Sequence, residues 1–192
     1  LAIIAAPIVV VFFGRGAFDA HAVDATARAL AAYAWGIPAF VMIKTLAASY
    51  FAREDTKTPI LIGLAAVAVN VILNLILMGP FLHVGLAMAS AISAWLNAGL
   101  LAAVLIRRGH LRIDARLMRG APRMIIAAVV MGLGLWFVLP MLASWLDADL
   151  SLRIFALALL VAGGLAVYGL AALLFGAISR DELNRILRRR AA

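Results

Sequence analysis

Residues 59–78 read PILIGLAAVAVNVILNLILM, twenty positions without a charged side chain. At 1.5 Å per residue a helix of that length spans about 30 Å, the thickness of a bilayer's hydrocarbon core. The stretch predicts a transmembrane helix. Its flanks agree: Thr58-Pro59 reads as a cap followed by proline at the first helical position, and Gly79-Pro80 reads as a stop.

Outward from this stretch the pattern repeats. Apolar runs occupy 1–13, about 29–51, 59–78, 84–106, 122–145 and 152–175. Five are long enough to span. The first covers only about two-thirds of a bilayer. No basic segment precedes it, so a signal peptide is not expected, and the reading is a chain that starts inside a transmembrane helix with a segment missing upstream. Composition leaves no soluble alternative. Apolar residues make up 67% of the 192 and charged residues 14%, against about 45–50% and about 25% in soluble domains. The mean hydropathy is +1.11. A chain without cysteine is not a disulfide-stapled secreted domain.

The net charge is +8, with 17 Lys and Arg against 9 Asp and Glu. Nucleic acid is not the expected partner, because the arginines lie in short connections between apolar runs. Thirteen of the basic residues fall after the second, fourth and sixth runs; Arg15, Arg28 and Arg153 fall on the other side. The positive-inside rule makes the arginine-rich ends cytoplasmic. The 53–57 loop and the C-terminus are then inside; 14–28, 79–83 and 146–151 are outside. Ser179-Arg180-Asp181-Glu182 has capping-box spacing, and Leu183, Ile186 and Leu187 make one apolar stripe. The tail 179–192 is thus expected to be an amphipathic basic helix on the anionic inner leaflet. Asp24 and Arg28 form an i,i+4 pair in an expected short external helix leading into the second run.

Within the runs, Pro38 and Pro140 predict bends. Small residues mark packing faces in lipid. They recur at four-residue spacing as Gly85, Ala89, Ser93 and Asn97, and as Ala158, Ala162 and Ala166. Lys44 is the one formal charge deep inside a run, nine residues and roughly 13 Å before Arg53. Two readings are open: an intramembrane cation facing an aqueous cavity, or a side chain snorkelling to the inner headgroups. Asn70 and Asn74 share a helix face, as do Ser90, Ser93 and Asn97. Such groups either ligate a hard cation or bond helix to helix. His21, His83 and His110 lie in connections and read as interface residues. No phosphate-binding Gly-rich loop, His-Glu-x-x-His pattern or acid pair sits in the runs. This inventory favours a carrier or channel over an enzyme and calls for no cofactor or metal.

One stretch is more specific. Tyr50-Phe51-Ala52-Arg53-Glu54-Asp55-Thr56-Lys57-Thr58-Pro59 follows Phe13-Gly14-Arg15-Gly16-Ala17-Phe18-Asp19, Trp35-Gly36-Ile37-Pro38 and Lys44-Thr45-Leu46. This order resembles the MurJ (MviN) lipid II flippase family of the MOP exporter superfamily. Asn70 to Leu75 and Gly85 to Ser90 look like that family's next two helices. The resemblance implies the C-terminal five-and-a-half transmembrane helices of an all-α, MOP/MATE-like flippase fold of fourteen helices. It implies a partial helix at 1–13 and three helices within 1–107, a cytoplasmic loop at 108–121, and two added helices within 122–178. It also implies a bacterial inner-membrane carrier that moves the undecaprenyl-pyrophosphate-linked peptidoglycan precursor outward by alternating access. Lys44 would be the cavity cation, with Arg53 at its rim. The last two helices would shape a groove for the lipid tail, and the family's cavity arginines would lie in N-terminal helices not present here. For some relatives a sodium site is implied near the helix that carries Asn70 and Asn74, with Ser90 adjacent and an acid in the set; position 74 here is neutral. Other expected partners are membrane lipids. The alternatives are another exporter of the superfamily, for polysaccharide or drugs, a membrane enzyme acting on a lipid phosphate, and a membrane scaffold.

Overall fold

The computed structural model describes residues 1–14, 19–111, 115–146 and 148–176, with the side chains of 115–117 excepted. The amphipathic tail, Arg15, Arg112 and Asp147 lie outside the described residues. What is described is helical, with no strand. Helix α1 covers Ala5–Phe13, α2 Ala20–Phe51, α3 Lys57–Arg107 and α4 Ala115–Val138. After α4 the chain tightens into a 3₁₀ turn, Leu139–Leu142, around Pro140, then forms the short α5, Ala143–Leu146, and α6, Leu150–Leu174. Among the described residues four stretches are long and apolar enough to cross a membrane: Ala20–Phe51, Lys57–Arg107, Met118–Leu146 and Leu150–Leu174. Their outer faces are apolar; Leu75 is 71% exposed and Leu165 67%. Hydrocarbon is the medium that such faces fit. The chain divides into two units, Leu1–Arg112 and Ile113–Ala192.

In the first unit, α3 has 51 residues, about 76 Å at the helical rise and more than twice a hydrocarbon core. It does not run straight. Leu82 sits at φ 50°, ψ −131° and turns α3 back into a hairpin with arms 57–81 and 83–107. These arms are the two runs expected at 59–78 and 84–106. The reversal falls two residues beyond the Gly79-Pro80 stop. Pro80 withholds the amide that would bond the Ile76 carbonyl, which loosens the last turn without ending it. The arms meet closely at Gly85, where a Cβ would lie 2.3 Å from the Leu77 carbonyl oxygen.

Three other boundaries differ from expectation. The external helix and the run 29–51 are one helix, α2, of 32 residues, capped by Asp19, whose Oδ1 accepts from the Ala22 N–H at 2.8 Å. No Gly or Pro interrupts 20–29, and the Asp24–Arg28 pair at 2.8 Å supports that turn. Pro38 lies inside α2. Helix α4 starts at Ala115, so 115–121 is helical and not loop, and Pro122 is internal. Hydropathy marks where lipid begins; Arg, Leu and Met carry the helix further because their propensity is high. Finally, Thr58 is not the cap of α3. The helix opens at Lys57, and Asp55 Oδ1 accepts from the Thr58 N–H at 3.0 Å.

Small residues bring α2 against the second arm of α3. Ala39, Ala94 and Ala98 are buried together, and nearer the arginine-rich end Leu46, Tyr50, Leu101 and Leu105 form a core on which Ile43 and Ile62 pack. Ala5 and Val9 of α1 pack on Ala27. Of the expected face, Gly85, Ala89 and Ser93 are buried and Asn97 is half-buried. In the second unit Ala127 packs on Ala171 and Ala172, and Leu135 lies over Gly164. The expected α6 stripe, Ala158, Ala162 and Ala166, is exposed; Ala156, Leu160 and Gly164 are buried instead. These stripes lie two residues apart, about 200° around the helix. Spacing alone cannot choose between them; the Leu135 side chain, seated against Gly164, does.

Candidate functional site

The candidate site lies in the first unit, between the arms of α3 and the middle of α2. Asn70 and Asn74 project from the first arm and Ser90, Ser93 and Asn97 from the second. A pocket of about 250 Å³ is lined by Asn70, Ser90, Ser93 and Asn97 among the apolar Phe40, Ile43, Gly63, Ala66, Val67 and Ala94. Its polar side chains form a directed chain. Asn74 Nδ2 donates to Asn70 Oδ1 at 3.1 Å, Asn70 Nδ2 to Ser93 Oγ at 3.1 Å, and Ser93 Oγ to the Ser90 carbonyl at 3.1 Å. Ser90 Oγ donates back to the Leu86 carbonyl at 3.0 Å. The Asn70–Ser93 bond crosses between arms, so the structure joins residues that the sequence shows only as two separate faces. Asn74 Oδ1 and Asn97 Oδ1 are buried and accept nothing among the described residues.

The side chains of this set are all neutral. Among the described residues no group of three or more His, Cys, Asp or Glu could hold a metal. The Asn70 carbonyl already accepts a protein amide. The two acceptors without donors do not share a cavity either: Asn97 lines the pocket and Asn74 does not. A hard cation needs several oxygens converging on one point.

Lys44 is on α2, one turn beyond Phe40, and therefore on the stripe that borders this pocket. It does not line the pocket. Its side chain is exposed, and it has no hydrogen bond or ion pair among the described residues. Arg53 lies in the turn after α2 and folds back, Nη1 donating to the Ser49 carbonyl at 2.6 Å. The structure thus keeps Arg53 exposed at the helix end and does not bring it to the polar pocket. Lys44 thus has no ion pair among the described residues and lies one turn from Phe40 of the pocket lining, a position that fits the cavity reading and the snorkelling reading alike.

At that same end lies a cluster absent from the residues proposed from sequence. Arg108 Nη1 pairs with Asp55 Oδ2 at 2.5 Å, and Arg108 Nη2 donates to Thr58 Oγ1 at 3.1 Å. The Asp55 carboxyl is thereby held down to about 2, first by the Thr58 backbone N–H, then by the Thr58 side chain and the Arg108 guanidinium. Beside it, Tyr50 is buried and its hydroxyl donates to the Leu101 carbonyl at 2.8 Å. Tyr50, Asp55 and Thr58 all belong to the stretch that carries the resemblance. Their chemistry ties the end of α2 and the start of α3 to the end of its second arm. The missing signal was the partner, Arg108, fifty-three residues away. At the opposite end His83 Nε2 lies 3.1 Å from the Ala25 carbonyl, and Trp95 Nε1 donates to the Trp35 carbonyl at 2.9 Å. An apolar groove of about 450 Å³ flanks the two tryptophans.

The family model described as "Lipid II flippase MurJ" matches residues 1–156. The "Probable lipid II flippase MurJ" of Rhizobium meliloti (strain 1021) is 38% identical over 100% of this chain and 36% of its own length. The protein of the same name from Haemophilus influenzae is 36% identical over 96% of this chain and 36% of its own length. The "Lipid II flippase MurJ" of Burkholderia cenocepacia is 35% identical over 69% and 26%. The chain thus spans about a third of the length of these relatives. With four membrane-length helical stretches among its described residues and a match to the family model over residues 1–156, the chain belongs to the MurJ lipid II flippase family, a family of membrane transporters.

Proposed function

We propose that this chain forms part of an alternating-access carrier that moves lipid II, a polyprenyl-pyrophosphate glycolipid, outward across the bacterial cytoplasmic membrane. The observation that carries this reading is Lys44: a cation with no ion pair among the described residues, inside a membrane-length helix and one turn from a pocket that holds Asn70, Ser90, Ser93 and Asn97. A pyrophosphate is its complement, because attraction between opposite charges strengthens as the surrounding dielectric falls. The polyprenyl tail needs only apolar helix faces open to lipid, which α6 offers in its exposed Leu159, Leu165 and Leu170. Arg53 adds charge at the exposed end of α2, and the Asn70–Ser93 bond ties together the arms that line the pocket, with Asn74 and Ser90 bonded within their own arms. The arginine-rich ends, including the Asp55–Arg108 cluster, face the cytoplasm, as does the C-terminus. The chain spans about a third of its relatives' length, and residues 1–192 are not expected to flip substrate by themselves.

The test is a chimera in which these residues replace the matching part of the Rhizobium meliloti relative. It should restore growth to cells depleted of their own flippase. Lys44→Met should abolish rescue at unchanged membrane abundance, and Lys44→Arg should retain it. Full rescue by Lys44→Met would refute the assignment. Flipping by residues 1–192 in vesicles without the rest would refute the claim of dependence.

A further inference from the structure

Of the polar side chains that line the pocket, Asn97 is the uncommitted one. Asn70 accepts from Asn74 and donates to Ser93, Ser93 donates to the Ser90 carbonyl, and Ser90 donates to the Leu86 carbonyl. The Asn97 side chain has no hydrogen-bond partner among the described residues, and its Oδ1 is buried. Turning its carboxamide end for end exchanges a buried acceptor for a buried donor and satisfies neither. A carboxamide left unpaired away from water is costly, so its complement is a group that gives one hydrogen bond and takes another, a hydroxyl or a secondary amide. The lining carries no formal charge, which suits a neutral group. Its volume of about 250 Å³ falls below the about 300–1,000 Å³ of sites that enclose a whole small molecule, so it takes in part of a larger one. Phe40 and Val67 of the lining are exposed, which leaves the pocket reachable.

The packing of α2 on the second arm of α3 fixes what stands next to this group. Ala39 packs with Ala94 and Ala98, and Leu46 with Leu101. The two helices therefore run the same way, and Lys44 and Asn97 lie at about the same depth. We propose that Asn97 recognises the glycan of the carried lipid: its carboxamide bonds a neutral hydroxyl or amide of the headgroup in this pocket, while the pyrophosphate rests near Lys44. Water, which also gives and takes hydrogen bonds, holds the same place before the lipid arrives. The proposal rests on the carrier reading and deepens it, since the charged and the neutral parts of one headgroup are bound by different helices.

The experiment is lipid binding to the purified chimera in nanodiscs, with two probes: lipid II, and undecaprenyl pyrophosphate, which has the tail and the pyrophosphate but no glycan. Asn97→Leu should weaken lipid II binding roughly tenfold and leave undecaprenyl pyrophosphate within about twofold. Gly63→Leu is the second variant, and it decides if Asn97→Leu does not fold. A Cβ at Gly63 meets nothing within 4 Å, so its side chain has room to fill the pocket from the first arm, with a gain in helix propensity. It should show the same selective loss. Equal weakening of both probes would reduce Asn97 to packing and overturn the proposal. Unchanged lipid II binding would leave water as the pocket's occupant and overturn it too. Lys44→Met tests the carrier reading itself: it should weaken both probes, and undiminished binding of both would refute the cation assignment without touching the Asn97 contrast.

Discussion

Gly85→Ala should open the hairpin on which the polar pocket rests. The added Cβ would lie 2.3 Å from the Leu77 carbonyl oxygen and 2.6 Å from its carbon. Both are backbone atoms, so no side chain can rotate away. Either the arms separate or the reversal at Leu82 is rebuilt. Over-packing of this kind costs about 1–3 kcal/mol, and contact with backbone puts Gly85 near the upper end. Against it runs the ordinary gain of about 1 kcal/mol when alanine replaces glycine within a helix. A net loss of about 1–2 kcal/mol is expected. Gly99, on the same arm, is the internal control: its added Cβ meets nothing within 4 Å. Gly99→Ala should show the helical gain alone, and the two variants should differ in sign. Reversible unfolding in mixed detergent, followed by tryptophan fluorescence, measures both. Because the Asn70–Ser93 bond spans the same arms, Gly85→Ala should also weaken rescue in the chimera. Equal stability of the two variants would refute the close approach of the arms.

Asp55 gives a pH signature. Its carboxyl is held near 2, below its ordinary 3.8, so the folded state favours the ionised form. That stabilisation is complete above about pH 4 and is lost as pH falls through 2. Stability measured between pH 4 and 2 should drop in the wild type and drop less in Asp55→Asn; equal slopes would exclude the pairing. Glu54 adopts φ 59° at the end of α2, a conformation costing a non-glycine residue about 1–2 kcal/mol. Glu54→Gly should raise stability by about 0.5–1 kcal/mol once glycine's larger unfolded-state entropy is deducted; destabilisation would count against the cap geometry. The chain has no cysteine, so single cysteines report topology cleanly. His110→Cys should be shielded from an impermeant external reagent and Asp149→Cys reachable. The opposite pattern would invert the proposed orientation.

Much of this protein is written in composition and period. A twenty-residue uncharged run has one stable use, because backbone amides in hydrocarbon must be satisfied within the helix itself. The family was legible in Tyr50 to Pro59 because those residues form a tightly specified turn. Boundaries were less legible, since lipid exposure and helix propensity end at different residues, as at 20–29 and 115–121. Pairings across the chain were not legible at all. Asp55 with Arg108, Asn70 with Ser93, and Tyr50 with the Leu101 carbonyl are each more than twenty residues apart, and nothing local announces them. The stripes Ala158, Ala162, Ala166 and Ala156, Leu160, Gly164 of α6 are equivalent as spacing, and only the side chain opposite decides between them. Period and hydropathy record how one helix meets its medium; which neighbour it meets is settled when the helices pack, because a side chain's partner is chosen by the three-dimensional path of the whole chain.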